Sequence, residues 1–269
     1  MSEPETPTTE RVTPKPAHPV WDVFSQANIT TGLAVLAVVL AAAPYVAPKI
    51  STYLVEKGLM NKPALLYAAN DAYQAQKAKE AAVTATQQIK AHHDAIFNDP
   101  SDPVIGTGPI KVVEFLDYQC AYCRAATPQV KAFLAANPDV QLVVKEYPVV
   151  HPENSIALAA LGIEAFKAGK YEAVHYGFLE HNFHPEISGN IEGEVSDIVG
   201  KAGLDPATLK ASMNDPAIKQ QINRTIDLGG ELGIDGTPTF VIGDTMVNGA
   251  NMAGLQAAVA AQRANANRK

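Results

Sequence analysis

The feature that most constrains this chain is a pair of cysteines, Cys120 and Cys123, with two residues between them. Strand-forming apolar residues dominate 112–116, just before the pair, and residues 124–134 have the composition of a helix. A cysteine at the start of a helix meets unpaired N–H groups and the positive end of the helix dipole, which favour a thiolate. The thiolate is the attacking species in disulfide exchange. We therefore predict that Cys120 is the exposed nucleophile and Cys123 the buried, resolving thiol.

The chain has no other cysteine, which limits the alternatives. Strand, Cys-x-x-Cys and helix in this order are typical of a thioredoxin-like redox site. A structural zinc site would need two more ligands. His175, His181 and His184 could supply them, but the aromatic residues between these histidines are more typical of a helix surface. An inert structural disulfide is the other alternative. We predict a redox-active disulfide, with no metal and no cofactor.

The N-terminal residues differ from the rest of the chain in composition. Residues 1–28 are rich in Pro, Thr and Glu, which predicts a disordered tail. Residues 23–48 contain no charge, so 29–48 approaches the roughly 20 apolar residues that span a bilayer. We predict an uncleaved transmembrane signal anchor at 29–48. A cleaved signal peptide is the alternative, because Ala41 and Ala43 suit a cleavage site, although Pro44 follows directly.

Orientation across the membrane follows from the redox motif, since the Lys and Arg residues on the two sides of the span do not decide it. A site that handles disulfides works best in an oxidising compartment. We therefore predict a single-pass protein of the bacterial inner membrane with its catalytic domain in the periplasm. If the signal is cleaved, the protein is soluble in the periplasm.

Residues 49–105 are predicted to form a helical stalk and a linker. Residues 64–97 contain no Gly or Pro and much Ala, which favours one long helix, and the sequence Asn-Asp-Pro-Ser-Asp-Pro at 98–103 ends it. Apolar residues recur there every seven positions, at Ala68, Ala75, Ala82, Ile89 and Ile96. This stripe predicts a narrow helix–helix seam and hence a homo-oligomer through 64–97. A stalk that docks only on its own domain is the alternative.

The remaining residues, 106–269, are predicted to form one catalytic domain. Strand 110–116, helix 120–136 and strand 140–147 make a βαβ unit, which implies a parallel pair of strands. Residues 152–230 are mostly helical and too long for a simple crossover, so they are interpreted as an inserted helical subdomain. A hairpin with its turn at 243–244 and a terminal helix at 251–262 follow.

Two distant motifs converge on one known family. Residues 113–123, Val-Glu-Phe-Leu-Asp-Tyr-Gln-Cys-Ala-Tyr-Cys, and residues 236–240, Gly-Thr-Pro-Thr-Phe, flank the helical insertion. In this order and spacing they resemble the DsbA family of thiol:disulfide oxidoreductases, over about 106–262. The preceding Ala-rich helix and Asn-Asp-Pro linker resemble a subgroup, the suppressor-of-copper-sensitivity and outer-membrane immunogenic proteins of Gram-negative bacteria. The expected fold is α/β: a thioredoxin-like fold with an inserted helical subdomain, preceded by a transmembrane helix and a long Ala-rich helix.

The resemblance assigns roles to three further residues. It implies a cis peptide between Thr237 and Pro238, which would present the Thr237 backbone to an extended substrate chain. It also implies that Glu114, six residues before Cys120, is an acid near the buried cysteine. Such an acid can take a proton during exchange, and Lys145 on the adjacent strand is its candidate partner. The alternatives are a trans proline in an ordinary turn and a surface acid at a strand edge.

One departure from the family pattern bears on the direction of electron flow. Ala121 and Tyr122 stand between the cysteines, whereas the strongest oxidants of the family have Pro-His there. A helix dipole alone contributes about 0.3–1 kcal/mol, less than the 1.36 kcal/mol of one pKa unit. We therefore expect a less stabilised thiolate and a less oxidising disulfide than in those enzymes, which leaves reductase or isomerase activity open.

Three classes of function remain. The first is an oxidoreductase that acts on unfolded or misfolded exported proteins and is recycled by a membrane or periplasmic redox partner. The second is a copper-tolerance protein whose reduced cysteines bind Cu(I). The third is a non-catalytic surface protein with the same fold. The net charge of −7 argues against nucleic acid as a partner.

Overall fold

The computed structural model describes residues 61–183, 191–207 and 214–266, together with Leu36, Val38, Thr52, Tyr53, Lys57, Gly58 and Ala211. The predicted tail at 1–28 and His184 lie outside the described residues, as does the predicted anchor at 29–48 apart from Leu36 and Val38. In the part of the chain that is described, no helix combines the length and the apolar character needed to cross a membrane.

The chain divides into two compact units, residues 1–74 and 75–269, and the boundary falls within the first long helix of the described residues. This helix, α1, spans Ala64–Ala91. The backbone leaves the helical pattern at His92, and a short helix α2 follows at His93–Phe97. The prediction of one helix over 64–97 is therefore correct except for this one-residue break.

The C-terminal end of this helical region packs on the second unit's own core. Ile89 and Ile96 are completely buried, in a cluster that includes Phe115, Val143 and Val241. The prediction that placed these two isoleucines on an oligomer seam is wrong, because their surface is already covered within the chain. The stripe residues that remain exposed are Ala68, Ala75 and Ala82.

A five-stranded mixed sheet forms the centre of the second unit, in the order β1-β3-β2-β4-β5. The strands are β1 Val104–Ile105, β2 Ile110–Leu116, β3 Val140–Glu146, β4 Thr239–Ile242 and β5 Thr245–Asn248. Strands β2 and β3 pair in parallel, as the predicted βαβ unit requires, and the other pairs are antiparallel. The β4–β5 hairpin turns at Gly243, whose φ of 54° lies in the left-handed region that glycine adopts readily.

Helices cover both faces of this sheet. The βαβ crossover is α3, Ala121–Ala136. The later helices are α4 Pro152–Lys167, α5 Tyr171–Glu180, α6 Glu192–Lys201, α7 Pro216–Glu231 and α8 Met252–Ala266. Alternate strand residues serve different cores: Val112 packs with α3, α5 and α8, whereas Val113 packs with α1, α2 and α7. This alternation decides which side chains can reach the cysteines.

Candidate active site

The two cysteines lie at the start of α3, just after the loop that follows β2. Cys120 is the N-cap residue of α3, with extended backbone angles, and its N–H donates to the carbonyl of Asp117 at 3.0 Å. Cys123 lies in the first turn of the helix, and both residues are free thiols. Cys120 is only 6% exposed and Cys123 2% exposed. The prediction of an exposed Cys120 is therefore wrong in degree, and burial alone does not distinguish the two cysteines.

The pKa values do distinguish them. Hydrogen bonding from the Cys123 thiol lowers the pKa of Cys120 from 9.0 to about 5, with help from Thr237 and from the backbone N–H groups of Cys123 and Tyr122. These donors outweigh the burial of Cys120, which acts in the opposite direction. The Thr237 hydroxyl is buried and has no hydrogen-bond partner among the described residues, which leaves it available to the Cys120 thiolate.

Cys123 has the opposite character. Burial raises the pKa of its thiol far above the ordinary value, and hydrogen bonding to Cys120 and the nearby Glu114 carboxylate raise it further. The pair therefore holds one thiolate and one thiol at neutral pH. A thiolate attacks disulfides, whereas a thiol must first lose its proton, so the two cysteines are suited to successive steps.

Glu114 is a buried acid on the central strand β2, and it is 4% exposed. Burial raises its pKa to about 8, so it can accept or release a proton near neutral pH. Its position therefore agrees with the acid that the family resemblance implies, and the alternative of a surface acid at a strand edge is wrong.

The predicted partner of Glu114, Lys145, is on the other side of the sheet. Glu114 pairs in register with Val144, and Lys145 pairs with Phe115, so the two side chains project from opposite faces. Lys145 instead forms a buried ion pair with Asp102 and donates to the carbonyl of Ala95 at 2.5 Å. The prediction of a Glu114–Lys145 pair is wrong because the pleat separates the two residues.

The second predicted motif reaches the cysteines from the far end of the insertion. The Thr237–Pro238 peptide is cis, as the resemblance implies. The Thr237 carbonyl lies 3.2 Å from the Cys120 sulfur and accepts a hydrogen bond from it when Cys120 is protonated. Two segments separated by 117 positions thus meet at one sulfur atom.

Sequence reasoning missed the residues that hold the loop before Cys120. The Asp117 carboxylate accepts four hydrogen bonds of 2.8 Å, from the Ser155 hydroxyl and from the backbone N–H groups of Gln119, Val149 and Val150. These bonds fasten the active-site loop to the start of α4. The only signal in the sequence was an acidic residue directly after a buried strand.

The histidines considered as metal ligands have other environments. His175 is buried, lies 3.1 Å from the Tyr118 hydroxyl and has a pKa lowered to about 3 by burial. His181 lies 3.3 Å from the Glu194 carboxylate. Within the described ranges no group of three or more His, Cys, Asp or Glu side chains is placed to hold a metal ion.

Comparison with known proteins agrees with this geometry. Residues 111–260 match the DSBA-like thioredoxin domain family. The thiol:disulfide interchange protein DsbA of Bordetella parapertussis is 27% identical over 184 residues, which are 63% of this chain and 80% of that protein. A thioredoxin-like oxidoreductase from Silicibacter pomeroyi is 37% identical with a TM-score of 0.57, covering 63% of this chain and 96% of that one.

A further solved structure extends beyond the thioredoxin domain. Proteus mirabilis ScsC in a transitional conformation is 26% identical with a TM-score of 0.60, and the match covers 82% of this chain and 99% of that one. Residues 106–269 alone could not supply so large a share, so part of the preceding region matches as well. Because the matched family region contains both halves of the site, the chain belongs to the DsbA family of thiol:disulfide oxidoreductases, in the group that resembles ScsC.

Proposed function

We propose that this protein forms, reduces or isomerises disulfides in exported proteins through its Cys-Ala-Tyr-Cys site. The observation that carries the proposal is the contrast within the pair: Cys120 has a pKa of about 5, and the adjacent Cys123 has a strongly raised one. A pair with two equally acidic thiols would have no preferred attacking sulfur. Here Cys120 attacks first and Cys123 resolves.

In the reducing direction the Cys120 thiolate attacks one sulfur of a substrate disulfide. The substrate S–S bond breaks, a mixed disulfide forms, and one substrate sulfur leaves as a thiolate. Cys123 then loses its proton and attacks the Cys120 sulfur, which releases the second substrate thiolate. Two electrons pass to the substrate and Cys120–Cys123 becomes a disulfide. Formation of a substrate disulfide is the same sequence in reverse.

Glu114 is the acceptor that we assign to the Cys123 proton. Its carboxylate is close enough to raise the Cys123 pKa, and its own pKa of about 8 suits transfer near neutral pH. Thr237 donates to the Cys120 thiolate and presents its backbone beside the sulfur, next to Pro238. An unfolded substrate chain would lie along this loop as an added strand.

A thiol-exchange assay on a reduced, denatured substrate tests the proposal. The oxidised protein should transfer its disulfide to the reduced substrate, and Cys120→Ser should abolish transfer. With a substrate that already contains a disulfide, Cys123→Ala should accumulate a mixed disulfide between Cys120 and the substrate, because the resolving step is lost. Thr225→Val is the matched control, since Thr225 is buried on α7 away from the site. If Cys120→Ser transfers disulfides as fast as the wild type, the assignment fails.

We further propose that residues 29–48 anchor the protein in the inner membrane with the catalytic domain in the periplasm, where a redox partner recycles the site. The support is the uncharged stretch from 23 to 48. Mass analysis of the mature protein tests it. A new N-terminus near Pro44 would show that the segment is a cleaved signal peptide and that the domain is soluble in the periplasm.

We also retain a homo-oligomer through 64–97 as a proposal, now restricted to the exposed part of α1. Ala68, Ala75 and Ala82 keep the seven-residue spacing, and Tyr67 and Tyr73 expose 74% and 57% of their surface on the same helix. Several sites around one substrate would raise the effective concentration of Cys120, as reshuffling of disulfides requires. Light scattering on residues 50–269 tests it, with Ala75→Lys and Ala82→Lys expected to disperse the assembly. A monomer at about 50 μM, the range of weak specific contacts, would contradict it.

A further inference from the structure

A second polar cluster lies behind the cysteines, and the exchange chemistry described above does not use it. Four buried side chains meet there: Tyr118, Glu146, Tyr171 and His175, each at most 4% exposed. They come from the loop before Cys120, the end of β3 and helix α5. Buried polar groups are costly unless they are bonded to one another, so a cluster of this size calls for an explanation beyond packing.

The Tyr118 hydroxyl is the centre of the cluster. It donates to Oε1 of Glu146 at 2.8 Å and lies 3.1 Å from Nδ1 of His175 and 3.3 Å from the Tyr171 hydroxyl. The Tyr171 hydroxyl donates to the same Glu146 oxygen at 3.0 Å. Glu146 therefore receives both tyrosine hydroxyls on one oxygen atom, and neither tyrosine can move without breaking a bond.

Helix α4 leaves room for this arrangement. A Cβ atom at Gly162 would come within 2.7 Å of Glu146 Oε1 and 3.1 Å of the Tyr118 hydroxyl. The other carboxylate oxygen, Oε2 of Glu146, is buried without a hydrogen-bond partner in the described part of the chain. Glu146 therefore accepts hydrogen bonds from the cluster only on Oε1, the oxygen that Tyr118 contacts.

Tyr118 is two residues from Cys120, and the backbone between them is held at several points. The carbonyls of Tyr118 and Gln119 accept hydrogen bonds from Arg124, whose guanidinium also donates to Asn182 at 3.0 Å. A displacement of the Tyr118 side chain is therefore passed to the backbone that positions the Cys120 sulfur. Hydrogen bonds weaken steeply with distance and angle, so a small shift changes how well the thiolate is stabilised.

The geometry points to Tyr118, Glu146, Tyr171 and His175 as a positioning cluster through which the helical insertion sets the reactivity of Cys120. Helix α5 supplies two members of the cluster, and α4 supplies the space for it. The hydrogen bonds of the cluster join its own members and not the cysteine sulfurs, so the cluster acts by fixing the loop that carries Cys120. The inference rests on the proposed role of Cys120 as the attacking thiol.

Two conservative variants separate positioning from simple stability. Tyr118→Phe removes the central hydroxyl. Tyr171→Phe removes the Tyr171 hydroxyl, with its contacts to Glu146 and Tyr118, and leaves the Tyr118–Glu146 bond in place. The Cys120 pKa should rise in both, and the equilibrium of the reduced protein with oxidised glutathione should change in favour of the disulfide. We expect about a threefold or larger change for Tyr118→Phe, the size of one lost hydrogen bond, and a smaller one for Tyr171→Phe.

Thiolate absorbance during a pH titration and equilibration with glutathione are the two measurements. Thr225→Val is the control, because it also removes one buried hydroxyl hydrogen bond, to the Gln221 carbonyl at 3.3 Å, but on α7. It should lose stability without moving either readout. Glu146→Gln keeps an acceptor oxygen for both tyrosines, so its Cys120 titration should stay close to that of the wild type.

Three outcomes would overturn the inference or its basis. If Tyr118→Phe lowers stability but leaves both readouts at wild-type values, the cluster is only structural. If Glu146→Gln moves the Cys120 titration as far as Tyr118→Phe does, although it keeps the acceptor oxygen, Glu146 acts by another route than holding the tyrosines and positioning is wrong. If the wild type itself fails to equilibrate with glutathione, the proposed function fails, whatever the variants do.

Discussion

The low pKa of Cys120 predicts how the stability of the reduced protein depends on pH. In the folded protein the Cys120 pKa is about 5, against 9.0 for an unperturbed thiol. The folded state therefore holds the thiolate at pH values where the unfolded chain is still protonated. Because the folded pKa is the lower one, the stabilisation is complete above pH 9, declines as the pH falls, and is lost below about 5.

The magnitude follows from the same two values. At pH 7 the folded pKa lies two units below the pH and the unfolded pKa two units above it. Two units at 1.36 kcal/mol each give about 2.7 kcal/mol at pH 7, falling by about 1.4 kcal/mol per pH unit toward pH 5. Residual solvent contact at the sulfur reduces this, so we expect about 1–3 kcal/mol at pH 7.

Denaturant unfolding of the reduced protein at pH 5, 6 and 7 measures the effect, with Cys120→Ser as the reference. The variant retains Asp102 and Glu114, whose raised pKa values contribute a pH dependence of their own, so the difference between the two proteins isolates Cys120. The wild type should gain stability over the variant as the pH rises from 5 to 7. A difference that stays constant over this range would refute the hydrogen-bonded thiolate.

Three further predictions concern the buried groups. Glu114→Gln should leave stability at pH 4.5 nearly unchanged and raise it by about 1–3 kcal/mol at pH 7, because the folded pKa of about 8 makes the native acid increasingly unfavourable above its ordinary 4.5. Thermal unfolding at both pH values checks this, and an equal effect at both pH values contradicts it. Lys145→Met should cost about 3–5 kcal/mol in denaturant unfolding because it leaves Asp102 buried without its cation; the double variant with Asp102→Asn should recover part of the loss, and no recovery argues against the pair. Ile89→Ala should cost about 2–5 kcal/mol, while Val83→Ala on the exposed side of α1 should cost about 0.5 kcal/mol or less; equal costs would mean that Ile89 does not dock on the domain.

The local part of the fold was predictable because its signals are local. The strand at 110–116, the crossover helix and the hairpin turn at Gly243 are found where the apolar runs and turn residues place them. Strand β1, of only two residues, was assigned to the linker. Its pairing with β3 is a tertiary contact, and two residues carry no readable periodicity.

The stalk shows a different limit of sequence reasoning. The seven-residue spacing correctly marks one apolar face of the helix, but a spacing cannot say which surface covers that face. From the sequence alone, Ile89 and Ile96 could pack either on another helix or on their own domain. In the structure both are buried against the sheet of the same chain. The two large aliphatic side chains lie close to the domain and are covered by it, whereas the small alanines nearer the N-terminus of α1 stay exposed.

The members of the candidate site could be predicted where a sequence motif contains them. They could not be predicted where strand register or contacts between distant residues determine which side chains meet. The motifs pointed to both cysteines, Glu114 and Thr237 as members of the candidate site, whereas the error over Lys145 came from the unknown pairing of β2 with β3. A shift of one position reverses the face of every side chain on a strand. The Tyr118 cluster was missed because its members are scattered along the chain, and only the fold brings them together.

The source of the Cys120 acidity bears on the direction of electron flow. No histidine stands between the cysteines, yet a thiol, a hydroxyl and two backbone N–H groups hold the pKa near 5, so a neighbouring cation is not required. When Cys120 is released as a thiolate, reduction of the disulfide takes up one proton fewer. This changes how the reduction potential depends on pH, because each proton taken up in a two-electron reduction contributes about 30 mV per pH unit. Reduction of Cys120–Cys123 should therefore consume one proton, held by Cys123, and its potential should fall by about 30 mV per pH unit between pH 5 and 9. Glutathione equilibria at several pH values measure this slope. A slope near 59 mV would mean that two protons are taken up and that Cys120 is an ordinary thiol after all.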